Sequence, residues 1–517
     1  MTAHQAPQPL APLQGMALVL ATVALSLATF MQVLDTTIAN VSIPSIAGDL
    51  GVSSSQGTWV ITSFGVANAI AVPLTGWLAQ RIGQVRLFLY ATLGFVIASI
   101  LCGLASSLGL LVAARIIQGA VAGPMIPLSQ ALLLACYPPQ KRGTALALWS
   151  MTTVVAPICG PILGGWISDN WSWPWIFYIN APVGLIACYV TWRVLKGKET
   201  ATRKLPIDGV GLALLMVWVG ALQILLDKGK ELDWFESPQI ITLAVVTVLG
   251  FAYFLIWELT EKHPIVDLSL FKGANFTVGA VGTSLGYGVF FGGVVVMPLW
   301  LQTQMGYTAT WAGLVTAPVG LLSVLLSPVV GKTMHKVDPR IYASLAFIIL
   351  GVVSYLRACF SSQADVATIV LPQIINGAGM ALFFIPLVGI TLSGLHTDQV
   401  ANASGLSNFM RIVAGSFGTS LSTTLWDRRD SLHHVRLEEH LTAYSPTVTQ
   451  TLDQLNGLGL TPDQSRGMLE RLLASQSSML GANEFFWLSA ILFLCLLPVV
   501  WFAKPPFTAG GHGGGEH

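Results

Sequence analysis

Residues 16–38 read MALVLATVALSLATFMQVLDTTI, and Asp35 is the one charge among these 23 residues. An α-helix rises about 1.5 Å per residue, so a run of this length crosses the roughly 30 Å of hydrocarbon in a bilayer. The run is longer than the apolar core of a secretory signal, and residues 1–15 before it contain no Lys or Arg. The stretch therefore predicts a retained first membrane-spanning helix.

Similar apolar runs recur along the chain. Of its 517 residues, 54% are hydrophobic and 9% are charged, whereas a soluble domain has roughly 25% charged residues. Read against charged and Gly/Pro-rich punctuation, the runs predict an all-α polytopic membrane protein with fourteen spans. These lie at about 16–38, 57–78, 86–106, 109–132, 143–166, 174–194, 208–226, 238–258, 276–302, 311–333, 340–360, 367–392, 404–426 and 482–502.

Lys and Arg are distributed unevenly among the predicted loops. With the N-terminus in the cytoplasm, fifteen lie in cytoplasmic loops and two, Lys228 and Lys230, in short external loops. Short cytoplasmic loops retain positive charge, so we expect both termini in the cytoplasm and the protein in the bacterial inner membrane. The cytoplasmic set comprises Arg81, Arg86, Lys141, Arg142, Arg193, Lys196, Lys198, Arg203, Lys204, Lys262, Lys272, Lys332, Lys336, Arg340 and Lys504.

An internal repeat appears at an offset of about 255–258 residues. Arg115-Ile-Ile-Gln-Gly119 matches Gln373-Ile-Ile-Asn-Gly377, and Gly76 with Arg81 five residues on matches Gly331 with Lys336. The repeat predicts two six-helix bundles related by a pseudo-twofold axis, with substrate bound between them. The predicted units are a cytoplasmic tail 1–15, a first bundle 16–200, two inserted helices 201–271, a second bundle 272–507 and a Gly-rich cytoplasmic tail 508–517.

The second bundle contains a long polar segment, 427–480, that is predicted to lie outside the membrane. We expect two short helices in it, the second opening at Thr461-Pro462-Asp463 with capping chemistry. Two interpretations stay open, a solvated loop and a docking surface for a periplasmic partner.

Four charged residues lie well inside predicted spans, away from their first and last few positions, where a charge is costly and so marks a functional candidate. Asp35 is the natural proton acceptor; the alternative is a structural Asp bonded to helix ends. Arg115 aligns with the uncharged Gln373, an asymmetry that suggests a task beyond packing. Arg357 is interpreted as structural or snorkelling, and Arg411 as marking the cytoplasmic start of its helix.

The fifth predicted span carries a dense Gly/Pro pattern. Pro157, Gly160, Pro161, Gly164 and Gly165 fall within nine residues. Such a segment kinks a helix and allows a neighbouring backbone to approach closely, as a moving interface requires.

Enzyme and cofactor signals are missing from the sequence. It contains no G-x-x-x-x-G-K-[ST] and no H-E-x-x-H, and its net charge of +1 gives no sign of nucleic-acid binding. We expect no enzyme, no cofactor and no metal site, with transport driven by an ion gradient. The rival functions are a proton-coupled nutrient importer and a membrane-embedded enzyme or receptor.

Several motifs resemble one family, the fourteen-helix drug:proton antiporters of the major facilitator superfamily. They are LDTTIANVSIP at 34–44, GWLAQRIG at 76–83, the pentad 115–119, the Gly/Pro pattern at 160–165 and WIFYINAPVG at 175–184. The resemblance extends over about residues 16–507. One departure concerns the loop motif, because relatives have Asp at the position of Gln80 and basic residues near Gln84 and Val85.

The resemblance implies a proton-driven exporter of hydrophobic or amphipathic drugs, with Asp35 and Arg115 coupling the proton. It also implies that Gly76, Arg81 and Gly83 form a cytoplasmic gating loop and that the pattern around Gly160 distinguishes an antiporter from an importer. By resemblance, the partners are an EmrA-like periplasmic membrane-fusion adaptor and a TolC-type outer-membrane channel. We expect a broad apolar pocket, with Phe64 and Trp149 as candidate wall residues, that favours neutral or weakly acidic compounds.

Overall fold

The computed structural model describes residues 12–203, 206–396, 399–439, 441–442 and 445–507. The predicted tail 508–517, most of the predicted tail 1–15, and Lys204 of the predicted cytoplasmic set lie outside these residues. In the described chain, α-helices follow one another from Gly15 to Val500.

The helices fall into three groups along the chain. The first group is α1 (Gly15–Asp49), α2 (Ser54–Gly57), α3 (Trp59–Ala71), α4 (Thr75–Ile82), α5 (Gln84–Gly103), α6 (Leu108–Ala122), α7 (Met125–Cys136), α8 (Arg142–Asn170), α9 (Trp175–Tyr178) and α10 (Asn180–Leu195). The second is α11 (Gly209–Lys228) and α12 (Pro238–Thr260). The third is α13 (Ala274–Thr303), α14 (Ala309–Thr316), α15 (Val319–Thr333), α16 (Pro339–Ala358), α17 (Val366–Thr391), α18 (Val400–Glu438), α19 (Pro446–Gly457), α20 (Pro462–Cys495) and α21 (Leu497–Val500).

The all-α polytopic fold is confirmed. Twelve stretches in the described chain are long and apolar enough to cross a membrane, and the bent pair α3–α4 makes thirteen when it is counted as one span. The remaining predicted span, 404–426, lies inside α18, which is more polar but packs against α13 and α20. The fourteen predicted spans thus correspond to these thirteen and α18.

Two predicted spans are broken at prolines. The predicted helix 57–78 consists of α3 and α4, which meet at 59° around Pro73. The predicted helix 109–132 consists of α6 and α7, separated by Gly123 and Pro124. Proline lacks an amide N–H and collides with the carbonyl of the preceding turn, so each break falls where the helical ladder loses a donor.

The first and third groups pack with similar topology. In the first, α1 contacts α7, α8 and α10, while α6 contacts α3 and α5. In the third, α13 contacts α17 and α18, while α16 contacts α17 and α20. The helices α11 and α12 pack on each other, and α11 also contacts α3 and α18. Helix α8 contacts α15 and α17, and α18 contacts α4 and α7, so α8 and α18 both build the interface between the two bundles.

One end of the molecule is closed by glycine contacts. We call the end where α1 begins the proximal face and the end where α1 finishes the distal face. At the proximal face, a Cβ on Gly331 would lie 2.6 Å from the carbonyl oxygen of Gly143, and a Cβ on Gly143 would collide with the carbonyl oxygen of Gly331. Because these backbones touch, α8 and α15 close the proximal face between the bundles.

The polar segment 427–480 is more helical than predicted. Helix α18 continues past residue 426 to Glu438, and α20 begins at a capping box made by Thr461 and Gln464. The helix that opens there is not short, since α20 runs unbroken to Cys495 and includes most of the last predicted span. Glu484, in the last predicted span, contacts Arg429 and His433 of α18 at 3.1 and 3.0 Å, which joins α20 to the extended part of α18.

The last glycine of each repeated pentad sits at a close helix crossing. A Cβ on Gly119 would collide with the carbonyl oxygen of Phe64 in α3, and a Cβ on Gly377 would collide with that of Val319 in α15. The same pentad position therefore allows close backbone approach in both bundles.

We predict that Gly377→Ala lowers the free energy of unfolding by about 1–3 kcal/mol, because the added methyl group forces α15 and α17 apart. The measurement is thermal unfolding of the purified protein in detergent. Gly65→Ala is the matched control, since a Cβ there meets no atom within 4 Å. Equal stability of the two variants would contradict the predicted crossing.

Candidate functional site

A buried ion pair lies at the centre of the first bundle. Arg115 Nη1 on α6 donates to Asp35 Oδ2 on α1 across 2.5 Å, and both side chains are 0% exposed. The sequence predicts both residues as functional but does not predict their pairing. The structure therefore brings together the two residues predicted to couple the proton.

The second oxygen of Asp35 accepts two further hydrogen bonds. Asn180 Nδ2 donates to Asp35 Oδ1 at 2.8 Å, and Gln118 Nε2 donates to it at 3.1 Å. Asn180 Nδ2 also donates to Ser99 Oγ at 3.0 Å. One carboxylate thus joins α1, α6 and α10, with α5 joined through Ser99.

Arg115 is fixed independently of the carboxylate. Its Nε donates to the carbonyl oxygen of Val60 at 2.9 Å, and its Nη1 also donates to Gln118 Oε1 at 2.7 Å. The guanidinium lies 4.2 Å from the centre of the Phe64 ring. Its Nη2 is buried without a hydrogen-bond partner among the described residues. A buried cation held this firmly has little freedom to follow its counter-ion if Asp35 is neutralised.

The Gly/Pro pattern on α8 faces the same part of α1. A Cβ on Gly160 would collide with Thr37, and a Cβ on Gly164 would lie 2.8 Å from the carbonyl oxygen of Ile38. A Cβ on Gly165 would meet its nearest atom, in Val41, at 3.9 Å. The close contact of α1 with α8 therefore begins two residues after Asp35.

A cavity of about 110 Å³ lies between the bundles. Pro157 and Pro161 line it from α8, while Phe290 and Phe291 line it from α13. Helices α16 and α17 contribute polar groups to the wall: Arg357, Gln373 and Asn376. The Gly/Pro pattern on α8 thus has two roles. Its prolines line one wall of the cavity, and its glycines pack against α1.

The two candidate pocket residues lie elsewhere. Phe64 packs on the Arg115 guanidinium, and Trp149 is buried 5.7 Å from the guanidinium of Arg411. Arg411 lies further among the rings of Tyr287 and Phe384, at 5.3 and 5.7 Å. Both aromatic residues therefore support a buried arginine.

The segment predicted as a gating loop lies at the interface of the bundles. A Cβ on Gly76 would collide with Asn402 of α18, and Gln80 Nε2 lies 3.5 Å from Asn402 Oδ1. Gly83 has φ +97° and leaves room for Glu199, which accepts hydrogen bonds from the amides at the start of α5. Arg81 stacks 5.3 Å from the Trp77 ring. The interface contact at residue 80 forms between neutral amides.

Sequence reasoning missed part of the site. Asn180 and Ser99 were not singled out, although Asn180 lies in the family-like stretch 175–184. Arg357 was interpreted as structural, yet it lines the cavity and donates through Nη2 to Gln373 Oε1 at 2.7 Å. Arg357 pairs with Gln373, which occupies the repeat position of Arg115. The sequence signal was therefore an arginine within a span of the bundle whose repeat position lacks one.

Comparison with known proteins gives consistent matches. The Major Facilitator Superfamily model matches residues 25–419. The chain is 57% identical over 507 residues to the multidrug export protein EmrB of Escherichia coli (strain K12), covering 98% of this chain and 99% of that protein. It is 54% identical to the fatty acid resistance protein FarB of Neisseria gonorrhoeae, covering 97% and 99%. The human organic anion transporter MFSD10 superposes with a TM-score of 0.59 at 14% identity, covering 94% of this chain and 100% of that one, which supports the fold.

We predict that Arg115→Met lowers the free energy of unfolding by about 3–5 kcal/mol, because it leaves the Asp35 carboxylate buried without its counter-ion. The double substitution Asp35→Leu with Arg115→Met should recover a large part of that loss, since both charges are then removed. Chemical unfolding in detergent measures the cycle. Additive losses in the double variant would show that the pair is not energetically coupled.

Proposed function

Since this chain belongs to the Major Facilitator Superfamily, as its motifs predicted, we propose that it is a proton-driven multidrug antiporter that exports hydrophobic or amphipathic toxic compounds across the inner membrane. The relatives named as a multidrug export protein and a fatty acid resistance protein match almost their whole length, which supports export as the activity. The superfamily comprises transporters, so the chain is a transporter and not an enzyme.

The buried Asp35–Arg115 pair is the observation that carries the proposal. A proton on Asp35 removes the negative charge that Arg115 faces at 2.5 Å and turns the carboxylate into a hydrogen-bond donor. Arg115 then keeps its contacts with Val60 and Phe64, while α1 loses its strongest attachment to α6. Protonation therefore changes the relative stability of two helix arrangements, which is what coupling requires.

Helix α8 transmits that change to the drug cavity. Thr37 and Ile38 lie against Gly160 and Gly164, and Pro157 and Pro161 on the same helix line the cavity. A shift of α1 next to Asp35 moves the surface on which α8 rests. Proton and drug need not touch, because each favours a different arrangement of α1 and α8.

The contacts at the proximal face support an arrangement closed on the cytoplasmic side. The loops rich in Lys and Arg join helix ends at this face, and the positive-inside rule assigns such loops to the cytoplasm. Both termini then lie in the cytoplasm. Loading from the cytoplasm requires the contacts Gly143–Gly331 and Gly76–Asn402 to separate.

One proton is sufficient as the driving force. Entry of one charge across roughly 150 mV provides about 3.5 kcal/mol, which supports a gradient of a neutral compound of a few hundredfold. A single acid on the pathway, Asp35, therefore suffices for export against a gradient.

The extended ends of α18 and α20, with α19 between them, are the proposed docking surface for an EmrA-like periplasmic adaptor. Contacts of Glu484 with Arg429 and His433 hold the extended end of α18 against α20, and a stiff helical surface costs less entropy on docking than a loop does. A TolC-type channel completes the proposed tripartite pump.

We predict that Asp35→Asn abolishes proton-coupled export. In proteoliposomes with an imposed pH gradient, drug-dependent proton movement should fall to the level of protein-free vesicles, because an amide cannot bind and release the proton. The control is Asp453→Asn, which changes an exposed Asp on α19. Uphill drug transport by Asp35→Asn would overturn the assignment of the proton site.

We predict that Gly160→Ala lowers coupled transport by about tenfold, since a methyl group there displaces Thr37 and penalises the arrangement in which α1 and α8 touch. The initial rate of drug uptake into inverted vesicles measures the effect. Gly165→Ala, where the methyl group has room, should keep the wild-type rate. Equal rates for both variants would show that the tight contact is not part of the cycle.

A further inference from the structure

The two bundles handle charge differently at matched positions. Gln373 lies 258 residues after Arg115, and at the same offset Gly293 follows Asp35 and Asn376 follows Gln118. The first bundle therefore has an acid on α1, at Asp35, and a cation on α6, at Arg115. The matched positions of the second bundle hold a glycine and a neutral amide.

A cation nevertheless occupies this part of the second bundle. Arg357 comes from the neighbouring helix α16, and its Nη2 donates to Gln373 Oε1 at 2.7 Å. A Cβ on Gly293 would lie 3.6 Å from Arg357 Nη1. The guanidinium thus faces the position at which the first bundle has its carboxylate.

Arg357 has no counter-ion in the described part of the chain. The residue is 7% exposed, its Nε is buried without a hydrogen-bond partner, and its one hydrogen bond goes to a neutral amide. A buried cation of this kind is costly unless an anion joins it, and a planar guanidinium binds a carboxylate through two parallel hydrogen bonds. The space left by Gly293 is open to the cavity between the bundles.

The rest of the cavity wall is mainly apolar, with the hydroxyl-bearing residues Thr153, Tyr287 and Thr316 as exceptions. Phe290, Phe291 and Met297 line it from α13, opposite Pro157 and Pro161 of α8. A ligand that fits both parts has one anionic group at Arg357 and an apolar body against these side chains.

We propose that Arg357, together with Gln373 and Asn376, binds the carboxylate of an amphipathic organic acid, which takes the place that an acidic side chain occupies in the first bundle. The proposal rests on the proposed function, because it names the substrate class of that exporter. It makes Arg357 a specificity residue that contacts substrate, while Asp35 handles the proton.

The membrane potential gives this division a consequence. Exchange of an entering proton for a leaving carboxylate moves two charges down an inside-negative potential, whereas exchange for a neutral compound moves one. The membrane potential thus drives the export of a carboxylate more strongly than the export of a neutral compound through the same protein.

Equilibrium binding of two probes tests the site. The probes are 2-naphthoate and its neutral analogue 2-naphthamide, measured on the full chain in nanodiscs at pH 8 in a chloride-free zwitterionic buffer. We expect the wild type to bind 2-naphthoate at least about tenfold more tightly than 2-naphthamide, since a charge-assisted pair with guanidinium is available to the acid alone. Arg357→Met should abolish this preference, so that the two probes bind with equal affinity.

Two substitutions at one position make the test sharper. Gly293→Asp supplies an internal carboxylate to Arg357, so it should remove the preference for 2-naphthoate. Gly293→Ala is the matched control and should keep the preference, because a Cβ there makes ordinary contacts at 3.6 and 3.9 Å. Retained binding of 2-naphthamide by all variants shows that they are folded.

The outcomes separate this proposal from the proposed function. Equal affinity of the wild type for both probes, or an unchanged preference in Arg357→Met, would overturn the carboxylate site, even if proton-coupled export of neutral drugs persists. Loss of the preference when chloride is added, with tight chloride binding, would assign Arg357 to an inorganic anion instead. A tenfold preference that disappears in Arg357→Met and Gly293→Asp supports the site even if coupled transport is not observed.

Discussion

A charge inside a hydrocarbon slab must be compensated, and the arrangement of the first bundle follows from that requirement at Asp35. Its two oxygens accept hydrogen bonds from Arg115, Gln118 and Asn180, which fixes the relative depth of α1, α6 and α10. Because Arg115 is also held by Val60 and Phe64, the carboxylate is the member of the pair that can change state. Neutralising the Asp35 carboxylate would therefore weaken the contact between α1 and α6 without unfolding either helix.

The pseudo-symmetry of the fold extends to its backbone and stops at its charges. Gly119 and Gly377 make the same close helix crossing, so the repeated pentad preserves packing. The charges, however, are not repeated: the first bundle has Arg115 on α6, whereas the second has Arg357 on α16, which does not correspond to α6. The first bundle thus contains a buried ion pair, which protonation of Asp35 would break under the proposed function. The second contains a buried arginine, Arg357, whose positive charge is proposed to be compensated by a bound carboxylate. Two different tasks fit on one repeated scaffold because the tasks depend on few side chains.

The sequence predicted the spans well because twenty apolar residues have few other uses in a protein. It also identified Asp35, Arg115 and the pattern around Gly160, since charges and paired prolines stand out in apolar runs. Three things were beyond it. The pairing of Asp35 with Arg115 depends on the depths of α1 and α6 in the membrane to within one helical turn. The ends of the apolar runs do not determine these depths so closely. Arg357 resembles a snorkelling residue in sequence, because its burial depends on α20 and on Phe486. The length of α20 was missed because its first half is polar and is held by contacts with α18.

The contact between the two bundles at residue 80 is made by neutral groups. Gln80 and Asn402 meet at 3.5 Å, and close approaches of the backbone are made at Gly76, Gly143 and Gly331. Amide and backbone packing contacts are each worth about 1 kcal/mol or less, so no single strong pair holds the proximal face shut. A coupling energy of a few kcal/mol, such as the loss of one buried ion pair, is then enough to shift the balance between closed and open arrangements. Under the proposed function, a single acid is therefore enough to operate a gate made of weak contacts.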